Sequence, residues 1–582
     1  MMFSGLRLVF CGWSGHVPVG RMLPIITIII LGFLAAGICE TAGQEAPVQD
    51  TLKARCDQLV ETGSLKIGNA DIAAVIAIPR FYRAQNYEPA WTDPENIRGL
   101  MRAVDEMYND GLDPEDYHRA DLRHVIEKTE CASRPDPGDL ADLDILLSDA
   151  LLRMAYHIEY GKVDLEQIDP NWNINKEFRT EGIVAQMQEI LSSERVFETL
   201  EERKSQHQLY ICLKRMLAEY RAIEKAGGWD PVPEGKVLKK DVSGDAVVAL
   251  RKRLTVTGDL PGEASTALAD FDKELKRAVM HFQERHSLAA DGVVGKASLE
   301  ALNVPVESRI DQLRVNLERG RWVLHDFTDT FLLVNIAGFR VYYVVENRVK
   351  WSARAQVGKT YRQTPVFKAE MEYLVFNPTW TVPPTILKND VLPAIQKDIG
   401  YLAEKNMVVL DNSGKVVDPG SIDWARYAGD NFPYTIRQEP GPTNALGRVK
   451  FIFPNKHFVF LHDTPSKSLF ERSERAFSSG CIRVEHPFEL AELLLADKGY
   501  DQAKIAQVLD TGKLENVYLT KPLPTLLLYW TTFTTLEGQC NFRRDVYGRD
   551  PRIVAALDGP IVVRKEHEDE RNRNIRELKT NR

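Results

Sequence analysis

The hydrophobic pattern of the chain changes its period near Arg321. Before this point apolar residues recur at helical spacing, whereas after it they alternate, as in residues 331–336 and 340–345. A period of about 3.6 indicates amphipathic helices, and a period of about 2 indicates half-buried strands. The sequence therefore predicts an α+β protein in which a mainly helical part precedes a mainly β part.

The length of 582 residues requires more than one hydrophobic core, because single cores stop growing at roughly 250–300 residues. We expect a helical scaffold domain at 56–235, a compact three-helix domain at 241–305 and a mainly β domain at 325–550. A Gly/Pro-rich connector at 227–240 separates the first two domains. Residues 560–582 are almost all charged, which predicts a tail that does not pack.

A polar, helical stretch at 386–434 interrupts the strands of the mainly β domain. Its main helix is predicted at 387–404. The stretch could cover a substrate groove as a cap, or it could decorate the surface. Both interpretations stay open at this point.

The N-terminal segment 1–43 indicates an export signal or a membrane anchor. Its apolar run at 23–38 is shorter than the ~20 residues of a membrane span and suits a secretory signal. Met22 could be the initiator, and small residues near the end of the segment could mark a cleavage site. Cys39 fits lipid attachment poorly because an isoleucine precedes it. A buried core helix is the alternative, and a linker is expected at 44–55.

The chain has 7 cysteines, and their spacing matches no zinc motif. In an oxidising compartment Cys131 could pair with Cys56 or with Cys212. The net charge of −9 argues against nucleic acid as the main partner, since nucleic-acid binding relies on clustered Lys and Arg. We expect no metal and no organic cofactor.

Cys481 is the strongest candidate nucleophile. Small residues precede it, and His462 stands earlier in the chain, after the apolar, strand-like stretch 458–461. A histidine at a strand end and a cysteine in a glycine turn can meet across a short loop and form a thiolate–imidazole pair. Such a pair would make the protein an acyl-transfer enzyme. A buried structural thiol is the alternative for an isolated cysteine.

The motifs around this pair resemble those of the L,D-transpeptidases of the bacterial cell wall. They are His-Asp-Thr-Pro at 462–465, Ala-Phe-Ser-Ser-Gly-Cys-Ile-Arg-Val at 476–484, Val-Gly-Lys at 357–359, Gln-Thr-Pro at 363–365, Phe-Asn-Pro-Thr-Trp-Thr-Val-Pro-Pro at 376–384, Pro-Gly-Pro at 440–442 and Asn-Ala-Leu-Gly at 444–447. The resemblance covers roughly residues 325–550. Fainter matches back to about residue 60 point to the large, multidomain members of the family. Smaller members have a histidine directly before Gly480, whereas this chain has Ser478 and Ser479.

The three-helix unit resembles a peptidoglycan-binding module. The matching residues are Phe282, Gln283, His286, Leu288, Asp291, Gly292 and Gly295. A helical spacer that binds nothing is the alternative.

The resemblance implies peptidoglycan stem peptides as substrates. Cys481 would attack a tetrapeptide stem before its terminal D-alanine, and a second amine would resolve the thioester to give a 3→3 crosslink. His462 would take the thiol proton, and the family comparison implies that the backbone carbonyl of Asp463 orients its ring. Backbone N–H groups of Ser479, Gly480 and Cys481 are the expected donors to the oxyanion.

Three residues are candidates for substrate binding. Arg483 follows the nucleophile closely, and a guanidinium binds carboxylates in a bidentate manner; a surface ion pair is its alternative. Arg475 is a second candidate for the same task. Trp380 could line the groove or simply pack.

Several functions share these motifs. Hydrolysis at the same bond would give an L,D-carboxypeptidase or an endopeptidase, and a non-catalytic wall-binding scaffold is a third hypothesis. Attachment of a lipoprotein to the wall is a minor variant. The resemblance also implies carbapenem inhibitors, cell-wall synthases or carboxypeptidases as partners, and action in the periplasm, with the inner membrane contacted only through the N-terminal segment.

Overall fold

The computed structural model describes residues 47–174, 182–262, 268–428, 431–534, 539–561 and 576. The predicted signal or anchor at 1–43 and nearly all of the charged tail at 560–582 lie outside these residues. None of the helices in the described ranges is long and apolar enough to cross a membrane.

The N-terminal part is built mainly of helices, as its periodicity predicts. The helices are α1 (Val48–Thr62), α2 (Ala77–Ala84), α3 (Pro94–Glu106), α4 (Arg119–Cys131), α5 (Pro137–Tyr160), α6 (Leu165–Ile168), α7 (Ile183–Ser192), α8 (Val196–Arg203) and α9 (Gln208–Lys225). Its strands are β1 (Lys66–Ile67), β2 (Ala70–Asp71) and β3 (Trp172–Asn173). The predicted linker at 44–55 is wrong over its described part, because α1 begins at Val48 and buries Leu52.

The longest of these helices, α5, ends at Gly161. This glycine has a φ of 79°, which residues with a side chain rarely adopt. A Cβ added here would lie 2.5 Å from the carboxylate of Glu318 and 2.7 Å from the indole nitrogen of Trp322. The glycine therefore ends the helix and also admits the close approach of a later one.

The three-helix unit has a core of its own. Its helices are α10 (Asp245–Val256), α11 (Lys273–Arg285) and α12 (Lys296–Leu302), followed by the connecting helix α13 (Val306–Val323). The side-chain amide of Gln283 donates to Asp291 at 3.0 Å and to the carbonyl of Val293 at 2.9 Å, and its oxygen accepts from the N–H of Gly292 at 2.9 Å. Gln283 therefore holds the Asp-Gly turn that the sequence places between two helices.

The C-terminal part is organised around a large sheet. Its strands, with those of the insertion, are β4 (Phe331–Asn335), β5 (Arg340–Val345), β6 (Arg348–Gly358), β7 (Val366–Phe376), β8 (Trp380–Thr381), β9 (Met407–Leu410), β10 (Val416–Val417), β11 (Thr435–Gln438), β12 (Val449–Ile452), β13 (Leu461–His462), β14 (Ala476–Ser478), β15 (Ile482–Val484), β16 (Glu515–Leu528), β17 (Thr532–Thr534) and β18 (Cys540–Phe542). The helices are α14 (Pro384–Ile386), α15 (Leu392–Lys397), α16 (Gly400–Glu404), α17 (Pro487–Leu494), α18 (Gln502–Asp510) and α19 (Asp550–Asp558). The strand order is β12-β13-β15-β6-β5-β4-β16-β7-β3, and β12 also pairs with β7, so the pairings close on themselves.

The strands predicted at 331–336 and 340–345 are confirmed as β4 and β5. The strand expected at 458–461 is mostly wrong, since only Leu461 of that stretch belongs to β13. The side chain of Asn455 accepts hydrogen bonds from the N–H groups of His457 and Val459 at 3.0 and 3.2 Å. These bonds form a turn in place of a strand.

The insertion at 386–434 is only half helical, which corrects the prediction. It has a buried core, and its strands β9 and β10 join the flanking strands β8 and β11 in a four-stranded sheet of the order β10-β9-β11-β8. The single helix predicted at 387–404 is broken into α14, a π-helical turn at Leu387–Val391, α15 and α16. Pro393 lies in the first turn of α15; because proline lacks an N–H, it cannot continue a regular helical ladder from the preceding turn.

The helical N-terminal part and the large sheet share one buried core. Strand β3 pairs in parallel with β7, which adds a piece of the N-terminal part to the sheet. The Lys162 ammonium donates to the carbonyl of Leu557 at 2.7 Å. The predicted ranges 56–235 and 325–550 therefore pack against each other around one core.

Candidate active site

A row of polar side chains crosses four neighbouring strands of the large sheet. Lys450 on β12 is opposite His462 on β13, His462 is opposite Arg483 on β15, and Arg483 is opposite Gln356 on β6. Residues directly opposite each other in a sheet point to the same face. Cys481 directly precedes β15, so the sheet register brings the predicted nucleophile next to this row.

The imidazole of His462 is buried and oriented by the backbone. Its Nδ1 lies 2.5 Å from the carbonyl oxygen of Asp463, and a donor at Nδ1 leaves Nε2 as the proton acceptor. Burial, together with the nearby charges of Arg483 and Lys450, lowers the pKa of His462 to about 3. The ring is therefore neutral near physiological pH.

The thiol of Cys481 is also neutral at rest. Burial raises its pKa, while the N–H of Phe460 and the charges of Lys450 and Arg483 act in the opposite direction. Its Sγ lies 3.8 Å from the carbonyl oxygen of Phe458. Among the described residues no hydrogen bond joins Sγ to His462, so the expected thiolate–imidazolium pair is not the resting state. Proton transfer needs the thiol to turn towards the ring, as is common for unliganded sites.

The turn that carries the nucleophile is fixed by two hydroxyl groups. Ser478 Oγ donates to the carbonyl of Cys481 at 2.5 Å and accepts from the N–H of Gly480 at 3.1 Å. Thr364 Oγ1 donates to the carbonyl of Gly480 at 2.7 Å. Gly480 has a φ of 118°, a conformation that glycine adopts readily.

This turn corrects one predicted oxyanion donor. The N–H of Gly480 is already bonded to Ser478 Oγ and points into the turn. Within the part of the chain that the structure describes, the N–H groups of Ser479 and Cys481 have no hydrogen-bond acceptor. These two N–H groups stay candidates for oxyanion donors. No motif in the sequence points to the contacts of the Ser478 hydroxyl.

Arg483 lies two residues after the candidate nucleophile and has no carboxylate partner in the part of the chain that the structure describes. Its guanidinium donates to the side-chain oxygen of Gln356 at 3.1 Å, and its Nε is buried with no acceptor among the described residues. The alternative of a surface ion pair is therefore wrong for the described part of the chain. A largely buried guanidinium with donors to spare suits an incoming carboxylate.

The other two substrate-binding candidates have structural contacts. Arg475 donates to the carbonyl of Arg472 at 2.6 Å and to that of Phe339 at 3.4 Å. None of these partners belongs to the row beside the nucleophile, which disfavours the prediction for Arg475. Trp380 lies in β8 opposite Gln438 and packs partly against the core of the insertion.

Asp463 is held in place from both sides. Its carboxylate accepts from the backbone N–H of Arg448 at 2.9 Å and pairs with the ammonium of Lys467. Gly447 has a φ of 64°, and a Cβ there would lie 2.3 Å from the carboxylate carbon. The glycine of the Asn-Ala-Leu-Gly motif thus allows the backbone to approach Asp463, whose carbonyl orients His462.

Arg362 connects the nucleophile turn to the insertion. The same guanidinium nitrogen lies 3.0 Å from Ser479 Oγ and 2.9 Å from the carboxylate of Asp390. Asp390 belongs to the π-helical turn of the insertion. The predicted cap therefore contacts the site through one largely buried arginine, which the sequence did not single out.

The described cysteines are all free thiols. The disulfides that the sequence allows between Cys131 and Cys56 or Cys212 are therefore not formed. No group of three or more His, Cys, Asp or Glu side chains in the described ranges could hold a metal ion.

Three family models match separate parts of the chain. Residues 76–217 match “Scaffold domain”, residues 243–302 match “Putative peptidoglycan binding domain” and residues 329–508 match “L,D-transpeptidase catalytic domain”. The order of the matches follows the order of the helical part, the three-helix unit and the large sheet.

Two known proteins are similar to this chain. A Haemophilus influenzae protein named “Putative L,D-transpeptidase” is 36% identical over 284 residues, which are 48% of this chain and 57% of the relative. The match thus spans little more than half of the length of this curated relative. A crystal structure of an L,D-transpeptidase (residues 123–326) from Xylanimonas cellulosilytica aligns with 51% of this chain and 100% of its own at 15% identity, with a TM-score of 0.16. That superposition is too poor to carry an argument. The family models and the relative agree: residues 329–508 of this chain are similar to the catalytic domain of the L,D-transpeptidases.

Proposed function

We propose that the protein is an exported, periplasmic L,D-transpeptidase that forms 3→3 crosslinks between peptidoglycan stems through a thioester on Cys481. The observation that carries this proposal is the pairing of β13, which ends at His462, with β15, which begins directly after Cys481. Nδ1 of His462 is bonded to the Asp463 carbonyl 2.5 Å away. This arrangement leaves Nε2 ready to accept a proton, which a cysteine nucleophile requires.

The reaction begins with a neutral pair. As Sγ of Cys481 attacks the amide carbon before the terminal D-alanine, its proton passes to Nε2 of His462. The C–N bond then breaks, His462 returns the proton to the leaving amine, and a thioester remains on Cys481. The amine of a second stem attacks the thioester, which forms the new amide and restores the thiol.

Negative charge develops on the carbonyl oxygen in both steps. The N–H groups of Cys481 and Ser479 are the donors that the turn leaves available, and their position is set by the hydroxyls of Ser478 and Thr364. Losing one such donor costs about 2.7–4 kcal/mol of transition-state stabilisation. The turn thus supplies preorganised donors without a dedicated side chain.

Arg483 would hold a carboxylate of the stem peptide. Its guanidinium has only the neutral amide of Gln356 as a side-chain partner in the described residues, and a charged partner gives shorter and stronger hydrogen bonds. The insertion would act as a cap over the bound stem, because Asp390 reaches the nucleophile turn through Arg362. Excluding water from the thioester favours transfer to an amine over hydrolysis.

The alternatives use the same site. An L,D-carboxypeptidase or endopeptidase would release the thioester to water, and a wall-binding scaffold would not form it. We expect the three-helix unit to hold the enzyme near glycan strands, cell-wall synthases and carboxypeptidases to supply the stems, and carbapenems to acylate Cys481.

The test is mass spectrometry of products from a disaccharide-tetrapeptide, with Cys481→Ala beside the wild type. A crosslinked dimer that has lost one D-alanine, absent with the variant, is the expected result. Tripeptide monomer alone would assign a carboxypeptidase. No product from either protein, together with no carbapenem adduct on the wild type, would support the scaffold alternative.

A further inference from the structure

Lys450 is a cation close to the candidate nucleophile, and within the described ranges it has no carboxylate partner. It lies on β12 directly opposite His462, and its side chain is half-buried. Its Nζ lies 3.7 Å from the centre of the Phe460 ring. Across the described residues no hydrogen-bond acceptor or carboxylate lies within bonding distance of the ammonium. The aromatic face compensates part of its charge, but no anion does so.

Arg483 flanks the same site from β15, which is separated from the strand of Lys450 by β13. Its Nε is buried without an acceptor in the described ranges, and its one side-chain partner is the neutral amide of Gln356. Two cations thus face a thiol and an imidazole that are both neutral at rest. Burying a charge without a counter-ion costs free energy. An anion that forms or binds next to Lys450 and Arg483 would therefore be stabilised.

The anion that the proposed chemistry creates at this place is the sulfur. When the thiol proton moves to Nε2 of His462, the negative charge appears on Sγ of Cys481, next to both cations. Burial raises the pKa of the Cys481 thiol, and Lys450 and Arg483 oppose that effect. The same two charges lower the pKa of His462, after burial, which favours onward transfer of the proton to the leaving amine.

We propose that Lys450 is a positioning residue whose charge stabilises the Cys481 thiolate during the transfer of its proton to His462. The inference rests on the proposed nucleophilic role of Cys481. Lys450 acts through space on the sulfur and forms no bond in the reaction.

The charged and titratable groups around the Cys481 thiol determine which ionisations appear in the pH profile of its reactivity. Lys450, His462 and Arg483 face it from three neighbouring strands, and Arg362 bonds to Ser479 in the nucleophile turn. The pKa of His462 is about 3. The pH dependence of thiol reactivity above about pH 5 therefore reports the Cys481 thiol together with Lys450, because burial lowers the pKa of the Lys450 ammonium.

The experiment measures alkylation of Cys481 by iodoacetamide between about pH 5 and 10, without any substrate. The full chain carries Cys131→Ser, which removes the exposed thiol, and peptide mass mapping assigns the adduct. We expect Lys450→Met to move the profile upward by about one pH unit, which makes alkylation near neutral pH about tenfold slower. Lys450→Arg should restore the wild-type profile. Lys456→Met, at an exposed lysine on the neighbouring turn, should not move it.

Several results would overturn the inference. One is an unchanged profile for Lys450→Met, and another is a Lys450→Arg profile shifted as far as that of the methionine variant. A rise in KM for the tetrapeptide with an unmoved thiol profile would assign Lys450 to a substrate carboxylate instead. If the methionine variant does not fold, Lys450→Gln gives the same comparison with a polar end. The alkylation assay contains no substrate. A failure of the proposed crosslinking therefore does not change the result of that assay.

Discussion

Nδ1 of His462 lies 2.5 Å from the main-chain oxygen of Asp463, so the residue next to the histidine orients its ring. This contact depends on where the backbone of Asp463 lies, and not on the acidity of its side chain. The carboxylate has a different task, since it accepts from the N–H of Arg448 and pairs with Lys467. Substitutions that displace the backbone of Asp463 should therefore change the orientation of the His462 ring.

Gly447→Ala should disable the site while leaving the fold intact. The new Cβ would lie 2.3 Å from the Asp463 carboxylate, so Asp463 must shift and carry the His462 contact with it. Gly512→Ala is the matched control, because Gly512 has a φ of 63° against 64° for Gly447 and nothing lies within 4 Å of its added Cβ. Backbone strain should lower the free energy of unfolding of both variants by about 1–2 kcal/mol. Only Gly447→Ala should also lose at least tenfold in kcat, and equal kinetics of the two would contradict the account.

Ser478→Ala should be more damaging than Ser479→Ala. Ser478 Oγ holds both the Cys481 carbonyl and the Gly480 N–H, and removing a buried hydrogen-bond partner costs about 1–3 kcal/mol. Ser479 is exposed and contributes only its contact with Arg362 through its side chain. Steady-state kinetics should show a loss of tenfold or more for Ser478→Ala and a smaller one for Ser479→Ala. The reverse order would show that the Ser478 hydroxyl does not position the turn.

His462 should make the fold sensitive to acid. Its pKa falls from 6.5 in an exposed state to about 3 in the fold, so between these values the unfolded chain binds one proton more. The contribution of the neutral His462 to the free energy of unfolding is thus fully present above about pH 6.5. The free energy of unfolding falls by about 1.4 kcal/mol per pH unit as the pH drops towards 3.

Urea unfolding of the wild type and of His462→Gln tests this pH dependence. Relative to the variant, the wild type should lose about 2 kcal/mol between about pH 7.5 and pH 5. His157 and His286 also have lowered pKa values because of burial, but they are present in both proteins and cancel in the difference. A difference that does not change with pH would mean that His462 is accessible to protons in the fold.

Arg362→Ala should loosen the insertion. Arg362 connects Asp390 of the insertion to Ser479 of the nucleophile turn. We expect faster hydrogen exchange in 384–397 and a larger share of hydrolysis product, because water reaches the thioester more easily. Arg437→Ala is a control, since it breaks an ion pair with Glu439 that lies away from the turn. If both variants exchange alike, Arg362 does not hold the cap.

The sequence predicts those features that depend on local pattern. Helix α5 ends at Gly161 and β4 and β5 form where the residues alternate, because capping and alternation are read from neighbours in the chain. The short motifs at 462–465 and 476–484 single out His462 and Cys481 as well. Their chemical roles stay a prediction that the proposed experiments test.

The sequence could not predict features that depend on register between distant segments. Lys450 and Gln356 join the row of His462 and Arg483 only through strand pairings, and a shift of one residue would turn a side chain to the other face. The hydrogen bond from the Gly480 N–H to Ser478 Oγ depends on the geometry of the turn. The sheet inside the insertion is built of strands too short to show a clear alternation.

The central claim is that Cys481 forms a thioester with a stem peptide. Its most direct test is intact-mass measurement of the protein, quenched in acid soon after mixing with a disaccharide-tetrapeptide. The account predicts an adduct equal to the disaccharide-tripeptide acyl group on the wild type, located at Cys481 by peptide mapping and absent from Cys481→Ala. Crosslinked or hydrolysed product without any adduct at Cys481, or with activity retained by Cys481→Ala, would contradict it.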